Sequence, residues 1–238
     1  METELLRWFD VHGTDLPWRR TRDPYAILVS EVMLQQTQVS RVAPRYEAWL
    51  ERWPDVHALA AASPAEVIRE WQGLGYNRRG LNLHRAARHV SEHGWPSDLT
   101  ELPGVGPYTA AAVRAFAFGD AVLPRDTNVL RIEERTGHSF DPSCGQALMD
   151  LGRTICLARV PRCGVCPLAP SCPSRGKRYE PQRKQSPFEG SFRQRRARTL
   201  TLVAADNRAA EELDAEAVAS LERDGLVERV GDVVRLPG

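Results

Sequence analysis

Apolar residues recur along this chain at intervals of three and four positions, the spacing that puts them on one face of an α-helix. The stretches with this pattern are residues 2–12, 24–34, 39–52, 81–92, 126–136 and 145–156. Another helix is expected after Ser63, because Ser63-Pro64-Ala65-Glu66 has the form of a capping box with proline at the first helical position.

Glycines and short polar runs mark where the helical pattern stops. Gly73, Gly75 and Gly80 are expected to interrupt it, and residues 97–118 are expected to form a helix, a glycine hairpin and a second helix. The first 175 residues contain no convincing strand pattern. Beyond them, the pattern predicts weak alternation, then a helix, then a small hairpin around Gly231-Asp232, over residues 200–204, 209–223 and 226–236.

These patterns predict an all-α fold with a small α+β tail at the C-terminal end. The expected parts are a helical domain, a basic linker and a small winged-helix-like tail, over residues 1–175, 176–198 and 199–238. A length of 238 residues fits one large domain or two modest ones.

Composition places the chain among ordinary globular proteins, with 42% hydrophobic and 26% charged residues. No apolar run approaches the ~20 residues that a membrane span needs. The first residues, Met1-Glu2-Thr3-Glu4, lack the basic and apolar regions of a secretory signal. We therefore expect a cytoplasmic protein without a membrane partner.

The net charge of +1 conceals a local excess of positive charge. The basic segment, residues 175–198, contains nine Lys or Arg against Glu180 and Glu189, whereas residues 205–238 contain nine acids and four bases. A basic segment on an otherwise acidic chain suits a phosphate-binding face. A solvated linker is the alternative, because the segment also contains Pro181, Pro187 and Gly190.

Four cysteines form the most specific motif of the chain. Cys156, Cys163, Cys166 and Cys172 are spaced C-x6-C-x2-C-x5-C, and we call residues 156–172 the cysteine loop. Such short spacings let a loop surround one metal centre, and four thiolates accept either zinc or an iron–sulfur cluster. The spacing favours iron–sulfur, since a zinc ribbon would have two C-x2-C pairs. Cys144 is left over as a buried spectator.

A glycine turn between two helices is the second motif. Gly104 and Gly106, within Leu102-Pro103-Gly104-Val105-Gly106-Pro107-Tyr108-Thr109, free the backbone for a tight turn. The amide groups at the start of the following helix can then bind a DNA phosphate. This is the helix-hairpin-helix pattern.

The hairpin, the downstream Asp126 and the cysteine loop together resemble the helix-hairpin-helix DNA glycosylases that include endonuclease III. Three stretches resemble the adenine DNA glycosylase (MutY) branch of that family: Leu16-Pro17-Trp18-Arg19, Ser30 to Val39 and Gly73-Leu74-Gly75-Tyr76. The resemblance covers about residues 1–175. It implies a two-lobed, all-α fold with the active cleft between a six-helix barrel and a lobe that carries a 4Fe-4S cluster on the four cysteines.

Base removal cleaves an N-glycosidic bond through an oxocarbenium-like state, which requires an acid and a stabilising carboxylate. Glu31 is a lone acid on an apolar helix face, where burial favours the protonated form. Asp126 precedes a helix start, where backbone amides favour the ionised form. By resemblance, Glu31 protonates the base and helps to activate water, Asp126 stabilises the sugar cation, and Tyr108 and Asn128 support the pair.

The resemblance also implies how the protein uses DNA. Family members that nick the strand carry a lysine where this chain has Tyr108, so we expect hydrolytic base removal without an efficient lyase step. Base excision requires extrusion of the nucleotide, which costs least at mismatches. The candidate DNA-binding residues are Arg19, Gln35, Gln36, Tyr76, Gly104, Gly106 and Thr109. Packing in the core is the alternative role for Tyr76.

The function expected from these residues is that of a monofunctional DNA glycosylase of base excision repair. It would act as a monomer in the nucleoid, on double-stranded DNA with a mismatch or damaged base, and remove adenine opposite guanine or 8-oxoguanine. One alternative is a thymine or uracil glycosylase that acts at G mismatches. Another is a non-catalytic iron–sulfur protein that binds DNA, against which the presence of Glu31 and Asp126 argues.

Overall fold

The computed structural model describes residues 1–180 and 187–238, and most of them are helical. The α-helices are α1 (Glu2–His12), α2 (Pro24–Leu34), α3 (Val39–Arg52), α4 (Val56–Ala61), α5 (Pro64–Glu70), α6 (Arg78–His93), α7 (Pro107–Val113), α8 (Thr127–Thr136), α9 (Gly145–Thr154), α10 (Phe192–Ala205) and α11 (Ala215–Arg223). The strands are β1 (Arg208–Ala209), β2 (Glu228–Val230) and β3 (Val233–Arg235).

The described residues form two compact units, and each is made of two separate segments of the chain. The first unit contains residues 1–27 and 106–180. Its core is formed by α1, α8, α9 and the cysteine loop, with buried residues that include Leu5, Ile132, Leu148 and Leu168. Cys156 and Cys166 pack against this core, so the same apolar cluster that joins the helices also supports the cysteine loop.

The second unit contains residues 28–105 and 187–238. Trp49 of α3 and Trp71, which follows α5, are fully buried and pack edge to face with ring centroids 5.4 Å apart. Gly80 lies inside α6, where a Cβ atom would be only 2.7 Å from the Trp71 ring. The prediction that Gly80 breaks the helix was therefore wrong, because this glycine permits close packing instead.

The C-terminal tail belongs to the second unit. Its antiparallel sheet has the order β1-β3-β2, and helices α10 and α11 pack on it. Ile68 of α5 lies in the same buried cluster as Leu200, Val218 and Val234, so the tail shares a core with the preceding helices. Arg69 Nε also donates a hydrogen bond to the Ala204 carbonyl at 3.1 Å.

The all-α fold with a small α+β tail is confirmed, as are the capping box at Ser63 and the hairpin at Gly231. Two local predictions were wrong. Residues 97–106 form only a 3-10 turn before the hairpin, and residues 200–204 are helical. Helix α10 begins within the predicted linker and continues into the predicted tail. Within the described part of the chain, no helix combines the length and apolar character required to cross a membrane.

Candidate active site and cysteine loop

Asp126 is the N-cap of α8 and is held by three hydrogen bonds. Its Oδ1 accepts from the backbone N–H groups of Asn128 and Val129, both at 2.8 Å, and its Oδ2 accepts from the Asn128 side chain at 2.7 Å. The side chain is half-buried. These three donors, which come from the first turn of α8 and from its Asn128 side chain, fix the orientation of the carboxylate.

Asn128 connects this carboxylate to the cysteine loop through Arg131. The Asn128 Oδ1 accepts a hydrogen bond from Arg131 Nη2 at 2.7 Å, so the amide donates to Asp126 and accepts from arginine. Arg131 Nη2 also donates to the Gly152 carbonyl at 2.8 Å, and Arg131 Nε donates to the Cys156 carbonyl at 2.9 Å. A continuous hydrogen-bonded path therefore joins Asp126 to the first cysteine of the loop.

Gly152 of α9 permits this path because it leaves room for Asn128. A Cβ atom at Gly152 would lie 2.4 Å from the Asn128 Cβ and 3.0 Å from its Cγ. Real Cβ atoms do not approach other atoms so closely, since packed interiors offer no space for the overlap. Helices α8 and α9 can therefore approach this closely only if position 152 is glycine.

Glu31 is a buried acid on α2, with only 5% of its surface exposed. Its neighbours Val29, Val32 and Met33 are also buried, as the apolar pattern predicted. Glutamate is seldom buried to this extent unless it has a partner or a function. Burial is thus in keeping with the general acid role predicted for Glu31, which stays a prediction.

The glycine hairpin has the backbone geometry that the sequence predicted. Gly104 has a φ of +79°, and a Cβ there would lie 2.8 Å from the Asn82 Cβ, so both conformation and packing require glycine. Gly106 is exposed and precedes α7, and Tyr108 is half-buried in the first turn. Thr109 is only 2% exposed, which favours a packing role for its side chain over the predicted contact to DNA.

Gln36 and Tyr76 are exposed and lie on two loops of the second unit. Tyr76 has 49% of its surface exposed, so the alternative that it packs in the core is wrong. Gln35 is half-buried, and its carbonyl accepts a 2.6 Å hydrogen bond from Arg79, a residue that the sequence pattern did not single out.

The cysteine loop gathers its four thiols near one another. Cys156, Cys163 and Cys172 each exert an electrostatic effect on Cys166. Burial raises the pKa of the Cys166 thiol, and these three neighbours raise it further. Among the residues described, no three His, Cys, Asp or Glu side chains are arranged as ligands of a single metal ion.

Donor groups point at two of the sulfur atoms. The Gly176 N–H donates to Cys163 Sγ, and Arg135 Nη1 donates to Cys156 Sγ, both at 3.3 Å. Hydrogen bonds of this kind stabilise thiolates and orient metal-binding cysteines. Four cysteines, two of which accept hydrogen bonds at sulfur, have the donor chemistry of a thiolate-bound cluster, although their side chains are not arranged around a single metal ion.

Arg135 fixes the loop itself and was missed from the sequence. It is 5% exposed and donates to the carbonyls of Leu157 and Ala158 at 2.8 and 2.7 Å, while its guanidinium stacks 3.9 Å from the Tyr179 ring centroid. Arg131 and Arg135 are four residues apart, so they lie on one face of α8. This spacing on a predicted helix is the one sign of the pair in the sequence, and it does not identify their partners.

Arg19 binds within the protein instead of being available to DNA. Its Nη1 and Nη2 donate to the two carboxylate oxygens of Asp150 at 2.9 and 3.1 Å, and the Asp150 side chain is only 2% exposed. Burial alone would raise the pKa of Asp150, but the bonds from Arg19 and the Thr14 N–H outweigh it and lower the pKa. This geometry favours a structural role over the predicted DNA contact.

The basic segment is less available to phosphate than its sequence indicates. Arg195 pairs with Asp214 and Glu216 at 2.8 and 2.7 Å, and Arg196 pairs with Asp224 at 2.7 Å. These acids lie on or beside α11, so the opposite charges of the two C-terminal regions partly neutralise each other. Arg198 is exposed, and Arg183 and Lys184 lie outside the described residues.

Comparison with known proteins places this geometry in a family. A family model described as "HhH-GPD superfamily base excision DNA repair protein" matches residues 29–143, which include Glu31 and Asp126. The chain is 47% identical to the adenine DNA glycosylase of Mycolicibacterium smegmatis, over 70% of this chain and 67% of that protein. It is 39% identical to the adenine DNA glycosylase of Mycobacterium tuberculosis, over 97% of this chain and 91% of that protein.

Solved structures agree with this assignment of the fold. A thermostable thymine-DNA glycosylase is 27% identical, with a TM-score of 0.65 over 72% of this chain and 93% of that one. An endonuclease III–DNA complex is 23% identical, with a TM-score of 0.62 over 72% of this chain and 92% of that one, which shows the shared fold alone. Given relatives of this identity and coverage, the chain belongs to the adenine DNA glycosylases of the HhH-GPD superfamily of base excision DNA repair proteins.

Proposed function

We propose that this protein is a DNA glycosylase of base excision repair that hydrolyses the N-glycosidic bond of adenine mispaired with guanine or 8-oxoguanine. The observation that carries the proposal is the hydrogen-bonded Asp126 at the start of α8, in a chain closely related to adenine DNA glycosylases. A carboxylate held in this way can stabilise a sugar cation, the species that forms as the base departs.

Glu31 is the proton donor in this proposal. A proton from its carboxyl group passes to the leaving adenine as the bond between the base and C1′ breaks. The carboxylate that remains takes a proton from a water molecule, whose oxygen then bonds to C1′. The products are free adenine and an abasic site, and Glu31 is protonated again. The burial of Glu31 supports this role, because glutamate is seldom buried to this extent without a partner or a function.

Asn128 and Arg131 hold the second carboxylate in place. The Asn128 amide directs one N–H at Asp126 and receives Arg131 on its other end, so the amide cannot rotate without losing both bonds. A carboxylate that is already held in place can stabilise the positive charge that develops on the sugar without reorganisation during the reaction.

Tyr108 is the reason to expect base removal without strand cleavage. A lyase step needs an amine that can form a Schiff base with the sugar. Position 108 offers a phenol in the first turn of α7 instead. We therefore propose that the strand stays intact until the abasic site is treated with alkali.

A 4Fe-4S cluster on Cys156, Cys163, Cys166 and Cys172 is the proposed cofactor. The support is the four neighbouring thiols and the donors from Arg135 and Gly176 to their sulfurs. When bound, such a cluster supplies a rigid, thiolate-ligated centre that orders the loop. The residues that would transmit that order toward Asp126 are Arg131 and Asn128.

The experiment that tests the function compares labelled duplexes that contain A·G, A·8-oxoG, T·G or U·G. Strand breaks at adenine that appear only after alkali support the proposal, and breaks without alkali would refute the role of Tyr108. Base loss from T·G alone would favour the second candidate, a thymine glycosylase, which the likeness to a thymine-DNA glycosylase structure supports. Tight mismatch binding without base loss would indicate a non-catalytic DNA-binding protein.

A further inference from the structure

Two exposed residues of the second unit have a backbone conformation that L-amino acids seldom adopt. Gln36 has a φ of +56° and Tyr76 a φ of +47°, and they are the only non-glycine residues with positive φ in the described part of the chain. Side chains in this region strain the backbone, and such strain persists only where surrounding contacts hold it. Both residues were already candidates for contact with the DNA base stack.

Arg79 of α6 binds the loop that carries Gln36. Its Nη1 donates to the carbonyls of Val32, Met33 and Gln35 at 2.8, 3.0 and 2.6 Å. The first two carbonyls lie in the last turn of α2, where no helical N–H is available to them. The guanidinium thus ends α2 and fixes the residue that directly precedes Gln36.

The same guanidinium binds the loop that carries Tyr76. Its Nη2 donates to the carbonyls of Leu74 and Gly75 at 3.2 and 2.9 Å and to Thr37 Oγ1 at 3.0 Å, while Nε donates to the Tyr76 carbonyl at 3.4 Å. One side chain therefore supports both strained residues and sets the distance between their loops.

The surroundings of Arg79 suit a side chain that holds two loops together. The guanidinium lies 5.4 Å from the Trp71 ring centroid and 5.6 Å from that of Tyr76, so it also makes cation–π contacts with both rings. Burial lowers the pKa of Arg79 to about 10, which still leaves a cation at neutral pH. Lysine cannot replace it, because an ammonium group lacks the planar fork that reaches two loops at once.

We propose that Arg79 is the positioning residue that presents Gln36 and Tyr76 together for insertion into the base stack of a mismatched duplex. This inference rests on the proposed function. Arg79 itself has its donors directed at backbone carbonyls, so it acts through the two loops and not by contact with a base.

The test is the ratio of dissociation constants for a fully paired duplex and an A·8-oxoG duplex, measured on ice with the Asp126→Asn background to prevent turnover. Stacking of a base on an aromatic side chain contributes to the free energy of binding. Tyr76→Ala is therefore expected to reduce this ratio about tenfold. Arg79→Met should reduce it to a similar extent, and Arg79→Lys should restore little of it. The matched control is Arg78→Met at the adjacent, exposed arginine, which should leave the ratio unchanged.

A double-mutant comparison separates positioning from general stability. If Arg79 acts through Tyr76, Arg79→Met should reduce the ratio little further when Tyr76 is already alanine. Thr37→Val, which removes one acceptor and keeps the side-chain shape, provides a milder variant that should shift the ratio in the same direction.

Three results would overturn the inference. In the first, Arg79→Met lowers the melting temperature but leaves the ratio of dissociation constants equal to that of the parent. An arginine with a purely structural role would give that result. Another is full additivity of Arg79→Met with Tyr76→Ala. A parent protein that binds both duplexes equally would overturn the proposed function together with this inference, whereas the first two results leave the function intact.

Discussion

Gly152→Ala is the single substitution that most sharply tests the path from the cysteine loop to Asp126. The added Cβ would lie 2.4 Å from the Asn128 Cβ, 3.0 Å from its Cγ and 3.2 Å from its Oδ1. The Asn128 Cβ is attached directly to the α8 backbone, so rotation of the side chain cannot remove the first overlap. Helices α8 and α9 must separate locally, and Asn128 must move relative to Asp126.

The size of the effect follows from the bond that is lost. The Asn128 amide donates to the Asp126 carboxylate at 2.7 Å, and hydrogen bonds to charged groups contribute about 1.5–3 kcal/mol. If that contribution supports the transition state, its loss slows the chemical step by about 10- to 150-fold. Overpacking should also lower the free energy of unfolding by about 1–3 kcal/mol.

Single-turnover base release at saturating enzyme measures the chemical step, and thermal unfolding measures the stability. Gly145→Ala, in the same helix, is the matched control because its Cβ would meet Leu123 and Pro124 at ordinary distances of 3.4 and 3.7 Å. A Gly152→Ala rate within about twofold of the Gly145→Ala rate would show that this path does not hold the carboxylate.

Three further outcomes are expected. Asp150→Asn should lower the free energy of unfolding by about 3–5 kcal/mol, because it leaves Arg19 without its buried partner. The pKa of Asp150 is lowered in the folded chain, so its ion pair stabilises the fold at any pH above the ordinary pKa of 3.8. This stabilisation is lost as the pH falls through the folded pKa, and urea unfolding across a pH series measures the loss. Cys166→Ser should abolish bound iron and visible absorbance, and full iron retention would contradict the proposed ligand set. Arg198→Ala should reduce the slope of log affinity against log salt by about one unit. Arg195→Ala should leave the slope unchanged, because Arg195 is paired with Asp214. Equal slopes for the two variants would contradict this difference between the two arginines.

Signals that depend on neighbouring residues could be read directly from the sequence. Ser63 and Glu66 form the predicted capping box, and Asp126 caps α8, because such contacts join residues two or three positions apart. The glycine hairpin and the cysteine spacing are equally local. The fold class and most helix positions therefore followed from the pattern alone.

Features that depend on distant partners could not be predicted. Arg79 meets carbonyls 44 to 47 positions away, and Arg131 meets Gly152 and Cys156 at 21 and 25 positions. Nothing in the sequence near either arginine specifies these partners, since tertiary packing brings them together.

The roles of Gly80 and of the basic segment also depend on residues that are distant in the sequence. Gly80 has the local character of a helix breaker, but the Trp71 ring that packs on it makes glycine the residue that fits within the helix. The basic segment was predicted to bind phosphate or to be a solvated linker, and the sequence alone could not show that Arg195 and Arg196 pair with acids on or beside α11.

The proposed function requires Glu31 and Asp126 to carry out hydrolysis of one N-glycosidic bond. Single-turnover release of adenine from an A·8-oxoG duplex, compared among the parent protein, Glu31→Gln and Asp126→Asn, measures what each carboxyl group contributes. We expect the parent to release adenine, each variant to release almost none, and both variants to bind the duplex with nearly the parent affinity. Adenine release by either variant at the parent rate would contradict the role proposed for that residue.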